Sequence, residues 1–86
     1  MKNYVVAVPY ADMSLARYLG YSKFGDKRFV YCANLQATDE NTAIKRAEDI
    51  FWSDKNLQPF DAKNANNKKN VLMIDRHNIF VRMEDR

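Results

Sequence analysis

The pattern of hydrophobic and polar positions changes its period once, between Arg28 and Ser53. The first part alternates, and one face of that alternation consists of Phe29, Tyr31, Ala33 and Leu35. The second part has a helical period, with a stripe made of Ala43, Ile44, Ala47, Ile50 and Phe51. A period of two is typical of a strand and a period of 3.6 of a helix. The pattern therefore predicts a strand followed by an amphipathic helix that packs on one face of a sheet.

The start of this helix has an acidic signature. Asp39 and Glu40 bring negative charge to the first turn, where the helix dipole favours it. Thr38 precedes them, and threonine is a good N-cap residue. We expect Thr38 to cap a helix that begins near Asp39 and ends near Ser53.

Three further segments have strand character. Residues 3–8 are rich in valine, are apolar on both faces and stop at Pro9, which predicts a central strand. Residues 71–75 and 79–83 are two apolar runs around the polar group Arg76-His77-Asn78. Two such runs around a short turn are typical of an antiparallel hairpin.

Residues 10–27 allow two interpretations. Asp12 or Ser14 could cap a short helix that stops at Gly20. Alternatively, residues 17–21 form a strand that returns through Gly25-Asp26 into the strand at Arg28, because glycine supplies the positive φ of hairpin turns. We favour the hairpin and keep the helix as the alternative.

Together these elements predict an α+β fold. We expect a mostly antiparallel sheet of four or five strands with one main helix on one face, in the order β-(β)-β-α-β-β. Eighty-six residues suffice for one core, since a chain of this length buries roughly 60–65% of its extended surface. Residues 1–86 are therefore predicted to form a single domain, with a mobile Asn/Lys-rich loop at 61–70.

Composition limits the cellular compartments and the classes of partner that we expect for this chain. A single cysteine excludes an internal disulfide and favours a reducing, cytoplasmic environment, with Cys32 expected to be a buried, inert thiol. No apolar run approaches the length of a membrane span. The net charge of +3 argues against an acidic mimic of nucleic acid, and it is too small to demand a nucleic-acid partner.

No catalytic, cofactor or metal signature is present in the sequence. One histidine and one cysteine cannot form a closed zinc site, and the two glycines match no phosphate-binding loop. The local group Asp75, Arg76 and His77 is the one cluster of ionisable residues, and an aspartate in a turn usually caps backbone or neighbouring groups. We therefore predict no catalytic residue, no metal, no cofactor and no enzymatic activity.

Protein binding is the function that these observations favour. One helix cannot cover both faces of a sheet, so an apolar second face is expected to bind a protein or a second copy of the chain. Depending on register, we expect that face to include residues such as Val30, Cys32, Tyr4, Val6, Val8, Ile79, Val81 and Met83. The predicted contacts are aromatic and basic: Tyr10, Tyr18, Tyr21, Lys23, Phe24, Lys27 and Arg28. Such a profile is typical of small modulators from phages and mobile elements, including inhibitors of host defence complexes that bind nucleic acid.

The alternative function is binding of single-stranded nucleic acid. Basic and aromatic residues interleave on two predicted strands, where rings could stack on bases and cations could contact phosphates. The residues are Lys27, Arg28, Phe29, Tyr31 and Arg82. The competing interpretation, which we favour, is that Phe29 and Tyr31 point towards the helix and form core.

Overall fold

The structure, a computed structural model, describes residues 1–25, 27–63 and 67–84. Four strands and three α-helices follow one another along the chain. They are β1 (Lys2–Asp12), α1 (Met13–Leu19), α2 (Tyr21–Phe24), β2 (Phe29–Ala37), α3 (Glu40–Ser53), β3 (Leu72–Ile74) and β4 (Phe80–Glu84). Short 3-10 turns occupy Lys68–Asn70 and Arg76–Asn78. The predicted α+β class is confirmed, with a four-stranded antiparallel sheet and one main helix packed on it.

Strand β1 lies at the centre of the sheet. On one side β2 pairs with it from Lys2 to Tyr10. On the other side β4 pairs with its first half and β3 with its end, both antiparallel. The predicted central position of the first strand is thus confirmed. The predicted hairpin between the last two strands is wrong, because in the described residues β3 and β4 pair with β1 and not with each other.

Pro9 lies inside β1, although the sequence suggested that the strand ends there. Its carbonyl oxygen accepts a hydrogen bond from the Asp75 amide at 2.8 Å, so its backbone faces the edge shared by β3 and β4. Pairing with β4 stops at Ala7 and pairing with β3 starts at Tyr10. The missing N–H of Pro9 therefore falls at the break between these two strands, where it interrupts no ladder bond.

The core lies between α3 and one face of the sheet. Val6 and Val8 of β1 and Phe51 of α3 are fully buried. Ala43 and Ala47 are also fully buried, and their small side chains let the helix approach the strands closely. The other apolar helix residues are less protected: Ile44 is half-buried and Ile50 is exposed. Burial of a side chain the size of Phe51 stabilises the fold by roughly 1.5–3 kcal/mol.

Aromatic rings surround Phe51. Its ring centroid lies 5.1 Å from Tyr10, 5.5 Å from Tyr31 and 4.8 Å from Trp52, each in an edge-to-face arrangement. Such pairs contribute about 0.5–1.5 kcal/mol beyond the area that they bury. The ring cluster fixes α3 against β1 and β2.

The cap of α3 is one residue later than expected. Asp39, not Thr38, is the N-cap, and its Oδ1 accepts a hydrogen bond from the Thr42 amide at 2.8 Å. Strand β2 continues to Ala37, and Asp39 has the extended backbone of a cap residue. An aspartate at this position adds a full negative charge to the same hydrogen bond, which threonine would not.

The carboxyl end of α3 is held by a lysine from a distant segment. The last turn of this helix contains no basic residue. Instead, Lys68 Nζ donates to the carbonyl oxygens of Asp54 (2.7 Å), Leu57 (3.2 Å) and Phe51 (3.3 Å). Carbonyls at a helix end lack intrahelical partners, and a cation there also opposes the negative end of the dipole. Lys68 lies in the loop predicted to be mobile at 61–70, of which residues 64–66 are outside the described residues.

We predict that Lys68→Met destabilises the fold by about 2 kcal/mol, because three carbonyls lose a charged donor. Lys69→Met is the matched control, since it removes the same charge from the neighbouring position. Lys69 Nζ lies 5.8 Å from the centroid of the Trp52 ring, a contact worth about 0.5 kcal/mol when exposed. Urea unfolding monitored by circular dichroism measures both changes. Equal losses in the two variants would contradict the proposed role of Lys68.

Residues 13–19 and 21–24 are helical, so the favoured hairpin for this segment is wrong and the helical alternative is right. Asp12 is the N-cap of α1, and α1 stops at Gly20, whose φ of 86° is a conformation that glycine adopts without strain. Gly25 ends α2 in the same manner, with φ of 57°. Asp26, the other residue of the predicted hairpin turn, is outside the described residues.

The Asp12 carboxylate joins three segments of the chain. It is buried, and its Oδ1 accepts from the Ser14 amide (3.0 Å), the Ser14 hydroxyl (2.6 Å) and the Leu15 amide (3.3 Å). Its Oδ2 accepts from the Phe60 amide at 2.7 Å, and Ser14 Oγ accepts from the Asp61 amide at 3.1 Å. These bonds connect the end of β1, the start of α1 and the segment after α3. A buried charge with this many donors is well compensated.

We predict that Asp12→Ala destabilises the fold by about 3 kcal/mol, because it leaves several buried amides without an acceptor. Asp12→Asn keeps one acceptor oxygen and is expected to lose about half as much. The control is Asp49→Ala on the exposed side of α3, expected to change the free energy of unfolding by less than about 0.5 kcal/mol. Denaturant unfolding of the three variants gives their free energies of unfolding. A loss of stability in Asp12→Ala no larger than in Asp49→Ala would contradict the structural role of Asp12.

Candidate functional site

The face of the sheet opposite α3, here called the open face, has an apolar centre. Its members follow from the strand register, in which Ala7 is opposite both Cys32 and Phe80, Pro9 is opposite Val30, and Ala11 is opposite Met73. Val30, Met73 and Phe80 are 60%, 59% and 62% exposed, and Cys32 is exposed beside them. These side chains come from β2, β3 and β4, each of which pairs with β1, so they flank the small apolar residues Ala7, Pro9 and Ala11 on the same face of the sheet.

One end of the open face is covered by α1 and α2. Ala11 of β1 packs with Ala16 and Phe24 in a small second core, to which Met13, Leu15 and Leu19 add partly buried side chains. Within the described residues, the remainder of the open face has no covering element. The expectation that one main helix leaves part of the sheet uncovered therefore agrees with this geometry.

A groove lies where the open face meets α2. Its volume is about 420 Å³, and its walls include Tyr21 and Phe24 of the helical segment, Arg28 before β2, and Met73 of β3. The groove thus connects the exposed apolar centre to an aromatic and a basic side chain. This combination is typical of the anchoring part of a protein interface.

The predicted partner-binding residues divide into two groups. Tyr18, Tyr21, Lys23, Lys27 and Arg28 are exposed, with Tyr18 also contacting Phe60 at a ring distance of 4.9 Å. Phe24 is buried in the second core, and Tyr10 packs against Phe51 on the α3 side of the sheet. The structure therefore brings Tyr21, Phe24 and Arg28 to one groove and places Tyr10 on the other face.

The predicted nucleic-acid residues do not share one surface. Tyr31 packs on Phe51, and Phe29 contacts Tyr10 at 5.6 Å, so both rings face the α3 side. Arg82 pairs with Val5 on the open face. Lys27 and Arg28 are exposed at the start of β2. The interpretation that both rings point towards the helix agrees with this geometry, but only Tyr31 packs against the core, because Phe29 is 42% exposed.

Several members of the open face were missed in the sequence. Val5, Ala7, Pro9, Met73 and Phe80 belong to it, whereas the sequence predicted Tyr4, Val6, Val8, Ile79, Val81 and Met83. Ile79 packs instead against the main core on the α3 side. In the register observed, Val81 is opposite Val6 and Met83 is opposite Tyr4, which puts all four on the α3 side. The alternation of Phe80 and Arg82 with Val81 was visible, but the face that each set would occupy was not.

The expected burial of Cys32 is wrong. Its thiol is exposed, because β2 is half-covered and the even-numbered residues of this strand point to the open face. The group around His77 is a 3-10 turn in which Asp75 Oδ2 accepts from Asn78 Nδ2 at 2.9 Å and Arg76 pairs with Glu48. In the part of the chain that the structure describes, no group of three or more His, Cys, Asp or Glu residues could hold a metal ion.

Hydrogen bonding shifts the pKa of three groups next to α3. The Tyr31 hydroxyl donates to Asp54 Oδ2 at 2.5 Å, which raises the pKa of Tyr31 to about 12, with burial as a lesser cause. The same bond lowers the pKa of Asp54, and the Asn56 amide adds to that effect. The pKa of Asp39 is also lowered, by the Thr42 amide that it caps. Burial, aided by the charge of Asp12, raises the pKa of Tyr10.

None of the helices in the described ranges is long and apolar enough to cross a membrane. Comparison with known proteins gives no match to any family model, to any curated protein or to any solved structure.

We predict that Tyr31→Phe costs about 1 kcal/mol at neutral pH, through loss of one hydrogen bond to a carboxylate. The depressed pKa of Asp54 means that the stability from this bond is present above the ordinary value of 3.8 and is lost as the pH falls through the folded value. The raised pKa of Tyr31 means that it is present below 10.0 and lost as the pH rises towards about 12. Urea unfolding across this pH range should show that the difference in the free energy of unfolding between Tyr31→Phe and wild type vanishes at both extremes of pH. A difference independent of pH would contradict the assignment.

Proposed function

We propose that this chain is a non-catalytic domain that binds another protein through the open face and the adjoining groove. The observation that carries the proposal is the exposed apolar centre made of Val30, Met73 and Phe80. Exposed apolar side chains scattered singly are ordinary, but a group of them on one face of the same sheet indicates a binding surface. Binding there would remove three large apolar side chains from water.

Charge around this surface suggests the chemistry of the partner. Arg82 is exposed on the open face itself, Arg28 lines the groove, and Lys23 and Lys27 are exposed in the same part of the chain. Complementary charge favours encounter and correct orientation more than affinity. We infer a partner whose contact surface is apolar at its centre and acidic at its rim.

Tyr21 is the best candidate for a directional anchor. It is 60% exposed at the groove, and its ring offers apolar area with one hydroxyl that needs a hydrogen-bond partner. Tyrosine and arginine are enriched among the residues that dominate interface energies. Tyr21 and Arg28 at one groove, with Met73 between the groove and the open face, make a compact anchoring group.

The narrower expectation of a phage or mobile-element inhibitor, acting on a host nucleic-acid-binding defence complex in the cytoplasm, stays a prediction. The absence of enzymatic activity also stays a prediction.

The test begins with immobilised wild-type protein and a cell lysate, followed by purification of a captured protein and calorimetric titration. Phe80→Glu is expected to weaken binding at least tenfold, because a charge would be buried at the centre of the interface, at a cost of about 1.4 kcal/mol or more. Tyr21→Ala is expected to have an effect of similar size. Binding should weaken as salt increases, since basic side chains surround the contact.

Phe60→Glu is the matched control, since Phe60 is a phenylalanine of similar exposure, 54%, that contacts Tyr18. It should bind as wild type does. Full affinity of Phe80→Glu for the captured partner would overturn the proposal. So would tight binding of a labelled single-stranded oligonucleotide at low salt that Phe80→Glu leaves intact, since that result favours the nucleic-acid alternative.

A further inference from the structure

Strand β2 is an edge strand with an open outer side. Within the described residues it pairs with β1 alone, and its nine residues make it one of the two long strands of the sheet. The edge of a sheet presents backbone N–H and C=O groups that can pair with another strand. The edge consists of backbone groups of β2, whereas the open face consists of side chains, so the two surfaces are distinct even where they belong to the same residues.

The register identifies which backbone groups point outwards. The Pro9 carbonyl accepts from the Asp75 amide just after β3, and the Met13 amide donates to the Val71 carbonyl just before β3. The backbone groups of odd-numbered residues therefore point away from β2, and those of the even-numbered residues of β1 point towards it. Their partners in β2 are the odd-numbered residues, such as Tyr31 and Ala33. The backbone groups of Val30, Cys32, Asn34 and Gln36 therefore point to the outer side. Consistent with this, the Gln36 carbonyl oxygen accepts a hydrogen bond from Arg46 Nη1 of α3.

The edge lacks the devices that normally prevent pairing. From Phe29 to Ala37 the strand contains no charged residue, no proline and no glycine. Natural edge strands are usually blunted by inward-pointing charges, prolines or bulges. An unprotected edge of this length either promotes aggregation or serves as a binding site.

The residues that flank β2 have opposite charges at its two ends. Lys27 and Arg28 precede the strand, and Asp39 and Glu40 follow it. When two identical strands pair antiparallel, the start of one lies beside the end of the other. The basic flank of each copy would then lie beside the acidic flank of its partner, twice in one two-fold interface. The charges flanking β2 are therefore complementary to those of a second copy of the same strand, whereas an extended peptide of arbitrary sequence would not match them.

We propose that the chain forms a two-fold dimer in which β2 pairs antiparallel with β2 of a second copy, with the axis at Ala33. In this register Cys32 is opposite Asn34 of the second copy, Val30 is opposite Gln36, and Lys27 is opposite Asp39. The sheet then continues across the axis, and the two open faces lie side by side. The Gln36 carbonyl has two lone pairs, so it accepts a second donor beside Arg46.

Cys32 supplies a direct probe of this arrangement. The two Cys32 side chains lie on the same face, diagonal to each other across the axis, a separation of roughly 7–8 Å in antiparallel pairs. The chain contains no other cysteine, so any thiol crosslink reports on this position. A short bis-maleimide that spans this distance should convert the protein into a covalent dimer, and monomer trapped by dilution should not react in this way.

The decisive measurement is the mass in solution, by light scattering after size exclusion, over a concentration series. We expect the mass to rise from 10.1 kDa towards twice that value, together with crosslinking at Cys32. Asn34→Pro removes an outward N–H that the described part of the monomer does not use, and it should weaken dimerisation more than tenfold. Phe80→Glu, which disturbs the open face, should leave the mass unchanged and so separates this proposal from the proposed function.

A charge series provides a second test that does not depend on the folding of a proline variant. Lys27→Glu should weaken the dimer about fivefold at low salt through its two equivalent contacts. Lys23→Glu, with the same change in net charge away from the edge, should not. Adding Glu40→Lys to Lys27→Glu should recover at least part of the loss.

A monomeric mass at every concentration would overturn the proposal. A dimer that resists both Asn34→Pro and Lys27→Glu, or that leaves Cys32 uncrosslinked, would overturn it as well. A monomer that gains a strand only with a foreign extended peptide would assign the edge to a different occupant and would equally reject the dimer.

Discussion

The pairing of β1 on both of its sides is the constraint on which the rest of the structure depends. Its even-numbered side chains form the floor of the main core, and its odd-numbered side chains begin the open face. Each other strand contacts the sheet through β1. One side of β1 is divided between two short strands, and the break lies at Pro9, where β4 has ended and β3 has not begun. The residue without an N–H thus lies where no ladder bond is made on that side.

Sequence periodicity was sufficient for the parts of the fold that depend on local order. The change of period after Leu35 located β2 and α3, and the valines of β1 indicated its central place. The hairpin expected at the end of the chain failed because short apolar runs do not encode which strand they will pair with. The favoured prediction for residues 10–27 was wrong for a related reason. The sequence pointed both to Asp12 as a helix cap and to Gly25 as a turn residue. The choice between them depends on a distant contact, because the Asp12 carboxylate also accepts a hydrogen bond from the Phe60 amide.

The candidate site was less predictable than the fold, because it depends on strand register. A shift by one residue exchanges the two faces of a strand, so Val81 and Phe80 could not be assigned from alternation alone. The aromatic ring cluster shows the same limit, since Tyr31 was offered both as core and as a nucleic-acid contact. No sequence pattern predicted the role of Lys68 at the end of α3. Its three carbonyl partners come from α3 and the residues after it, and nothing in an Asn/Lys-rich stretch distinguishes it from Lys69.

The pairing of Asn3 with Glu84 has a consequence for how quickly the native state is reached. Contacts between residues this far apart in sequence require closure of a long loop before any ladder bond repays the lost chain entropy. Sheets dominated by such pairings fold in milliseconds to seconds, whereas bundles with local contacts fold far faster. Until that closure, the side of β1 that β4 covers in the native state would be unpaired, and the outer edge of the uncharged β2 would be open as well. Refolding at high protein concentration should therefore favour disordered intermolecular association over recovery of the native state.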